Sequence, residues 1–246
     1  MTGNDRKAAA VPEGADRPVG FFDSGVRGRC ILDAFRRLCP GERTVYIADT
    51  AHCPYGNRPQ EEIVRLSERC VARLLRRNCK MVVVACNTAT AAAIRHLRAA
   101  HPDIPFVGVE PALKPAASRS RSGVVAVLAT AGTLGGRHYA DTKAKFASGV
   151  RVVAAVADEF VQLVERGETS GANAERIVRA RIEPLLEAGA DEIVLGCTHF
   201  PHLKPVIEKV CAGRAEVVDP SDAVARQARR VLENRGLLRA PASAHQ

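Results

Sequence analysis

Two cysteines carry the strongest chemical signal in this chain. Val82-Val83-Val84-Ala85 leads into Cys86-Asn87-Thr88, and Ile193-Val194-Leu195-Gly196 leads into Cys197-Thr198-His199. Each apolar run reads as a strand, and each cysteine is expected to open a strand-to-helix junction. A helix N-terminus presents free N–H groups and partial positive charge, which lower a thiol pKa. Met singly, such a cysteine reads as a small buried residue. The paired placement instead reads as two acid/bases on opposite walls of one cleft. That arrangement suits inversion at a carbon, where one thiolate removes a proton and the opposite thiol supplies one from the other face.

Polar residues accompany both thiols. Asn87, Thr88 and Thr198 offer amide, hydroxyl and backbone donors that, with helix N-termini, suit a carboxylate. Phe22-Asp23-Ser24-Gly25 ends an earlier apolar run. Asp23 could receive an ammonium group and Ser24 a carboxylate, although the same residues also read as a turn with an Asx cap. Pro54-Tyr55-Gly56 is a rigid loop tip. His199 reads as tuning Cys197 rather than as a histidine satisfied by backbone, and His202 as facing solvent. The remaining cysteines, Cys30, Cys39, Cys53, Cys70, Cys79 and Cys211, read mostly as small apolar core residues. No CxxC pair is present, and Cys197, His199 and His202 lack a convincing further ligand, so no metal is expected.

The elements that must position these residues alternate between strand and helix. Strands are predicted at Val19–Phe22, Thr44–Ala48, Met81–Ala85 and Phe106–Val109, with helices at Cys30–Leu38, Glu61–Arg77 and Ala89–Ala100. A second series has strands at Val124–Leu128, Val152–Val156, Ile193–Leu195 and Glu216–Val218. Its helices fall at Tyr139–Phe146, Phe160–Glu165, Ala174–Ala188 with a stop at Gly189, after Pro201, and at Ser221–Asn234 with Ser221 as N-cap. Such alternation predicts an α/β fold with mostly parallel sheets flanked by helices. The halves read as a duplication: Asp23 pairs with Thr130, Asp49 with Asp158, Cys86 with Cys197 and Glu110 with Asp219, at offsets of 107 to 111 residues. Two similar lobes related by an approximate twofold axis follow, with the site in the cleft between them. The first lobe is expected at 19–113 plus 221–238 and the second at 114–220, with loose tails at 1–18 and 239–246.

Composition narrows the function classes. The 246 residues are 46% hydrophobic and 26% charged, which is enough for a core and excludes wholesale disorder. No apolar run reaches the length of a membrane span. The polar start lacks the apolar block of a secretory signal, so the expected location is cytoplasmic and the eight cysteines are not expected to form a disulfide framework. The net charge of +9 reads as an Arg-rich solvated surface or as attraction for an anionic ligand; 4% aromatics and no Trp weaken nucleic-acid binding.

Taken together, Phe22-Asp23-Ser24-Gly25-Val26, Ala48-Asp49-Thr50, Pro54-Tyr55-Gly56, Ala85-Cys86-Asn87-Thr88-Ala89-Thr90, Gly108-Val109-Glu110-Pro111 and Gly196-Cys197-Thr198-His199-Phe200-Pro201 resemble the glutamate racemases of the cofactor-independent aspartate/glutamate racemase superfamily. The resemblance spans about residues 19 to 220. It implies an isomerase that interconverts L- and D-glutamate without a cofactor and supplies D-glutamate for peptidoglycan synthesis. It implies Cys86 and Cys197 as catalytic acid/bases, Asp23 and His199 as their respective helpers, and Glu165 as an acid near the second thiol. By the same matching Asp23, Ser24, Tyr55, Gly56, Asn87, Thr88, Thr130, Thr133, Thr198 and His199 line the substrate site. A homodimer with no nucleic-acid or membrane partner is implied. The chain departs from the family pattern at Arg27-Gly28-Arg29, where Gly-Gly and an aliphatic residue are usual, at Ala157-Asp158, where Cys-Pro is frequent, and at Gln162, where Pro is common. The alternatives are an aspartate racemase using the same thiols, or an impaired homologue that only binds an acidic ligand.

Overall fold

The computed structural model describes residues 14–26, 28–109 and 112–239. The first sheet contains β1 (Val19–Asp23), β2 (Thr44–Ala48), β3 (Met81–Val84) and β4 (Phe106–Gly108), all parallel, in the order β2-β1-β3-β4. The second contains β5 (Val124–Ala129), β6 (Arg151–Val156), β7 (Glu192–Gly196) and β8 (Glu216–Val218), parallel again, in the order β6-β5-β7-β8. Helices α1 (Arg29–Leu38), α2 (Gln60–Leu75) and α3 (Asn87–Ala100) belong to the first series. Those that follow are α4 (Leu113–Arg119), α5 (Ala131–Leu134), α6 (Arg137–Phe146), α7 (Asp158–Glu165), α8 (Gly171–Glu187), α9 (Lys204–Cys211) and α10 (Ser221–Asn234).

Alternation along each strand splits the core into two layers per sheet. On the first sheet, Phe22, Val82 and Val84 pack on Ile63, Val71 and Leu74 of α2 and on Ile94 and Leu97 of α3. Their neighbours Val19, Phe21, Met81 and Val83 face the other way, onto Ile31 and Phe35 of α1 and Val224, Ala228 and Leu232 of α10. On the second sheet, Ala126, Leu128, Ile193 and Leu195 pack on α7, α8 and α9, while Val125, Val127 and Val194 pack on Leu113 and Ala116 of α4. Helix α10, far along the chain, returns to pack on the first sheet.

The two sheets repeat one register. Phe22 lies beside Ile47 and Val84 as Leu128 lies beside Ala155 and Leu195. Cys86 and Cys197, each two residues beyond Val84 and Leu195, therefore occupy matching places. The same register sets Asp23 against Ala129 and Asp49 against Ala157, one residue from the pairing read in sequence. The Glu110 member of the fourth pair lies outside the described residues.

Several expectations change. Ser221 is the first residue of α10, not its cap; Asp219 Oδ1 accepts from the Ser221 N–H at 2.8 Å and takes the capping role. Helix α4 and the single turn α5 lie where no helix was expected, each short and interrupted by Pro115 or Gly132. The inner ends of the expected tails are fastened. Lys80, 2% exposed, donates to the carbonyls of Ala15 and Leu237 at 2.6 and 2.8 Å and pairs with buried Glu42 at 2.8 Å. The Arg239 N–H donates to Glu42 Oε1 at 2.8 Å. A buried ammonium must find acceptors, and here both chain ends supply them. The outer parts of both tails lie outside the described residues. Gly189, with φ +88°, ends α8 as expected.

Candidate active site

Both sheets deliver their strand ends to one narrow cavity. It is lined by Ser24, Pro54, Tyr55, Gly56, Cys86, Asn87, Thr88, Thr130, Val161, Cys197, Thr198 and His199.

On the first wall, Cys86 is the N-cap of α3, and its Sγ accepts from the Ala89 N–H at 3.4 Å. The Cys86 thiol also donates toward Ser24 Oγ at 3.6 Å. Behind them Asp23, fully buried, accepts from the Ser24 N–H at 2.8 Å and the Gly28 N–H at 2.7 Å. Gly28 is required there: a Cβ would sit 2.6 Å from the Ala85 carbonyl and 2.8 Å from Asp23 Cβ. Arg29, exposed, starts α1, and Arg27 lies outside the described residues.

The second wall is built differently. Cys197 follows β7 but caps no α-helix; a turn and a 3₁₀ segment, Phe200–Leu203, precede α9. The expected helix N-terminus at this thiol is therefore absent. Cys197 Sγ lies 3.7 Å from His199 Nδ1, and His199 Nε2 lies 2.7 Å from Glu165 Oε1. Glu165 stands behind His199 rather than in the cavity, and its side chain is 41% exposed, so this relay reaches solvent.

Burial reverses the sequence expectation for thiol acidity. It pushes Cys86 up to about 12, with the Asp23 charge adding to the effect, and pushes Cys197 well above the ordinary thiol range. Desolvation of a closed site outweighs the α3 N–H groups. Asp23 is also raised by burial, to about 7, against the opposing hydrogen bonds from Gly28, Ser24 and Gly25. Both thiols consequently hold their protons near neutrality, and Asp23 titrates where it can exchange one with Cys86.

Three hydroxyls join the walls. Thr88 Oγ1 is 3.0 Å from Thr130 Oγ1 and 3.4 Å from Thr133 Oγ1, and the last two are 3.0 Å apart. Gly132 allows this approach, since a Cβ there would meet the Gly56 carbonyl at 2.6 Å. Tyr55 lines the cavity, but its hydroxyl is committed to Asp49 Oδ2 at 2.7 Å. Its ring and backbone are what remain for a ligand. The Asn87 Oδ1 and Nδ2 atoms are buried without a hydrogen-bond partner among the described residues. Leaving a buried amide unpaired costs about 1–3 kcal/mol, so the cavity is built for a molecule that supplies both a donor and an acceptor.

Sequence reasoning missed Pro54 and Val161 as lining residues and Asp49 as the anchor of Tyr55. Val161 lies within an ordinary amphipathic helix and carries no chemical signal. Asp49 stood in a quoted motif, and its spacing of six from Tyr55 was the available clue.

A two-walled α/β fold with paired thiols at matching strand ends defines a racemase or epimerase architecture. The Asp/Glu/hydantoin racemase family model matches residues 29–228, and the chain belongs to that family of isomerases. A glutamate racemase of Deinococcus radiodurans is 48% identical over 236 residues, covering 94% of this chain and 81% of the relative. The glutamate racemase of Francisella tularensis solved with D-glutamate superposes with a TM-score of 0.83 at 27% identity, over 93% of this chain and 85% of that one. The Escherichia coli glutamate racemase solved with L-glutamate and the activator UDP-MurNAc-ala gives 0.80 at 34% identity, over 93% and 86%.

Proposed function

We propose that this chain is a glutamate racemase that interconverts L- and D-glutamate with Cys86 and Cys197 as opposed acid/bases. The observation that carries the reading is the pairing of the two thiols at matching strand ends around one closed cavity. The relatives' names select glutamate over aspartate: the aspartate racemase of Picrophilus torridus, at 18% identity, shares the fold alone.

In the forward step, Asp23 takes the Cys86 proton, the Cys86 thiolate removes the substrate α-hydrogen, and the Cys197 thiol protonates the opposite face. In the reverse step, His199 and Glu165 draw the proton from Cys197. Ser24, Asn87, Thr88, Thr130, Thr198 and the Tyr55-Gly56 backbone hold the two carboxylates and the ammonium group, with Thr133 behind Thr130. No metal or organic cofactor enters this scheme, and activity is expected to persist in a chelator. The reading extends to a cytoplasmic role in supplying D-glutamate for peptidoglycan and to a homodimer, both of which rest on the resemblance. Among the described residues no helix is long and apolar enough to cross a membrane.

Racemisation of L-glutamate in heavy water tests the scheme. The proton arriving on the far face comes from a thiol already exchanged with solvent, so the first D-glutamate formed should carry deuterium at the α-carbon. The remaining L-glutamate should carry little at early times. Substantial transfer of the substrate's own α-hydrogen into product would point to a single base and refute the scheme.

A further inference from the structure

Cys53 plays no part in the chemistry above, yet it stands beside the His199–Glu165 pair. One donor atom from each of Cys53, Glu165 and His199 lies within 4.8 Å of the others. Cys53 follows the 3₁₀ turn Thr50–His52 in the first lobe, whereas Glu165 and His199 belong to the second, so the three meet across the mouth of the cleft.

We propose that these three side chains form an inhibitory site for a thiophilic divalent cation of the zinc class. Sulfur, imidazole and carboxylate together are a zinc-type donor set, and three protein donors leave a fourth position for water. Tetrahedral zinc holds its ligand atoms roughly 3.3–3.8 Å apart, given bond lengths of about 2.0–2.3 Å. The widest contact, no longer than 4.8 Å, must therefore close by at most about 1.5 Å, and the 2.7 Å His199–Glu165 pair must open by about 0.5 Å or more. Space exists beside the donors because residue 25 is glycine: a Cβ there would stand 3.0 Å from Cys53 Sγ and 4.0 Å from Glu165 Oε1. The surrounding charge favours a cation. Glu165, Asp23 and Asp49 bear on the Cys53 thiol as negative charges, with Arg58 opposing them. Half-buried Cys53 and exposed Glu165 leave a path from solvent.

On binding, Cys53 releases its thiol proton to solvent, and the ion takes His199 Nε2, the nitrogen now facing Glu165. His199 then holds its remaining proton on Nδ1 and no longer relays one between Cys197 and Glu165, while the ion ties the two lobes together. Ion binding stands on the geometry alone; inhibition also rests on the reading of His199 as the partner of Cys197.

The experiment titrates metal-free enzyme with Zn²⁺ while racemisation is followed, and with Co²⁺ while the near-ultraviolet thiolate-to-cobalt band is recorded. The expected result is inhibition reversed by a chelator and a cobalt–thiolate band saturating at one equivalent. Cys53→Ser should keep the metal-free rate, raise the half-inhibitory Zn²⁺ concentration at least about tenfold and lose the band. If Cys53→Ser is inhibited like wild type, or keeps a band that disappears in Cys86→Ala or Cys197→Ala, the ion sits on the catalytic thiols and the proposal falls. A Cys53-dependent band without inhibition would overturn the inhibitory role and, separately, the reading of His199.

Discussion

The wall that carries Cys86 and the wall that carries Cys197 share a sheet order and a strand register, yet they handle a proton by different means. Cys86 sits at the head of a 14-residue helix with a buried carboxylate, Asp23, directly behind it. The place that Asp23 holds in the first sheet is held by Ala129 in the second, so the central strand β5 ends without a carboxylate. Its proton partner comes instead from His199, two residues past the thiol, and from Glu165 at the end of α7. One relay is sealed from water and the other reaches it. A duplicated backbone thus fixes where two thiols stand, while each lobe's loops decide how each is charged. The two-thiol reaction proposed above asks for this asymmetry, since at any moment one thiol would give a proton while the other takes one.

Removing either thiol should break the comparison most severely. Cys86→Ala and Cys197→Ala are each expected to lower kcat for racemisation by about 10³-fold or more, with unchanged circular dichroism. Replacing Cys30, Cys39, Cys70, Cys79 or Cys211 should cost stability at most. Tested for α-hydrogen exchange in heavy water, each single mutant should exchange only one enantiomer, and the two mutants should show opposite preferences. Wild-type turnover in Cys197→Ala would end the two-thiol scheme.

The helpers should then separate the walls. Asp23→Asn and His199→Gln are each expected to slow turnover by about 10- to 100-fold, chiefly in the direction in which their own thiol removes the proton. With Asp23 near 7, the Cys86-initiated direction should gain rate as pH rises through about 7, when the carboxylate becomes free to accept. That rise should be absent in Asp23→Asn. Equal losses in both directions from both variants would mean that the relays are not assigned to separate thiols.

Asp23 also makes the first wall sensitive to pH in stability. Its folded-state pKa is raised from 3.8 to about 7, so the folded protein keeps a proton that the unfolded chain releases. Stability from this group is therefore full below about 4, falls as pH rises toward 7, and is flat above; the total is roughly 4 kcal/mol. The difference in unfolding free energy between wild type and Asp23→Asn, measured across pH 4 to 8, should show this slope. A pH-independent difference would remove the buried proton from the account.

The smallest effect is expected where the walls touch. Thr88→Val and Thr133→Val each remove one hydroxyl from the interlobe cluster, and each should raise KM for glutamate about fivefold, near 1 kcal/mol. Similar values from the two variants would show that the cluster acts as one unit; an effect of Thr88→Val alone would assign the contact to the first wall.

The functional residues that could be read from sequence lie next to strand ends. Asp23-Ser24, Cys86-Asn87-Thr88 and Cys197-Thr198-His199 each follow an apolar run, and residues beyond parallel strands face a common crevice. Periods of two and 3.6 gave most of the α/β order for the same reason: burial of one face leaves a pattern in the chain. Val161, Pro54 and Cys53 could not be read in this way, since each becomes relevant only against residues of the opposite lobe or of a distant loop. Lys80 was invisible for a similar reason, with its acceptors at Ala15 and Leu237 far along the chain.

Sequence by itself determined most of the element order, the duplication and the presence of two thiols at matching strand ends, because these are written in local periodicity and in neighbours along the chain. Tertiary structure alone decided the protonation of the site. Desolvation depends on what the opposite lobe covers, and it lifts Cys86 to about 12 where the helix N-terminus by itself would lower it. Likewise Glu165 meets His199 within the second lobe, and Thr88 meets Thr130 across the two, although the partners stand 34 and 42 positions apart along the chain.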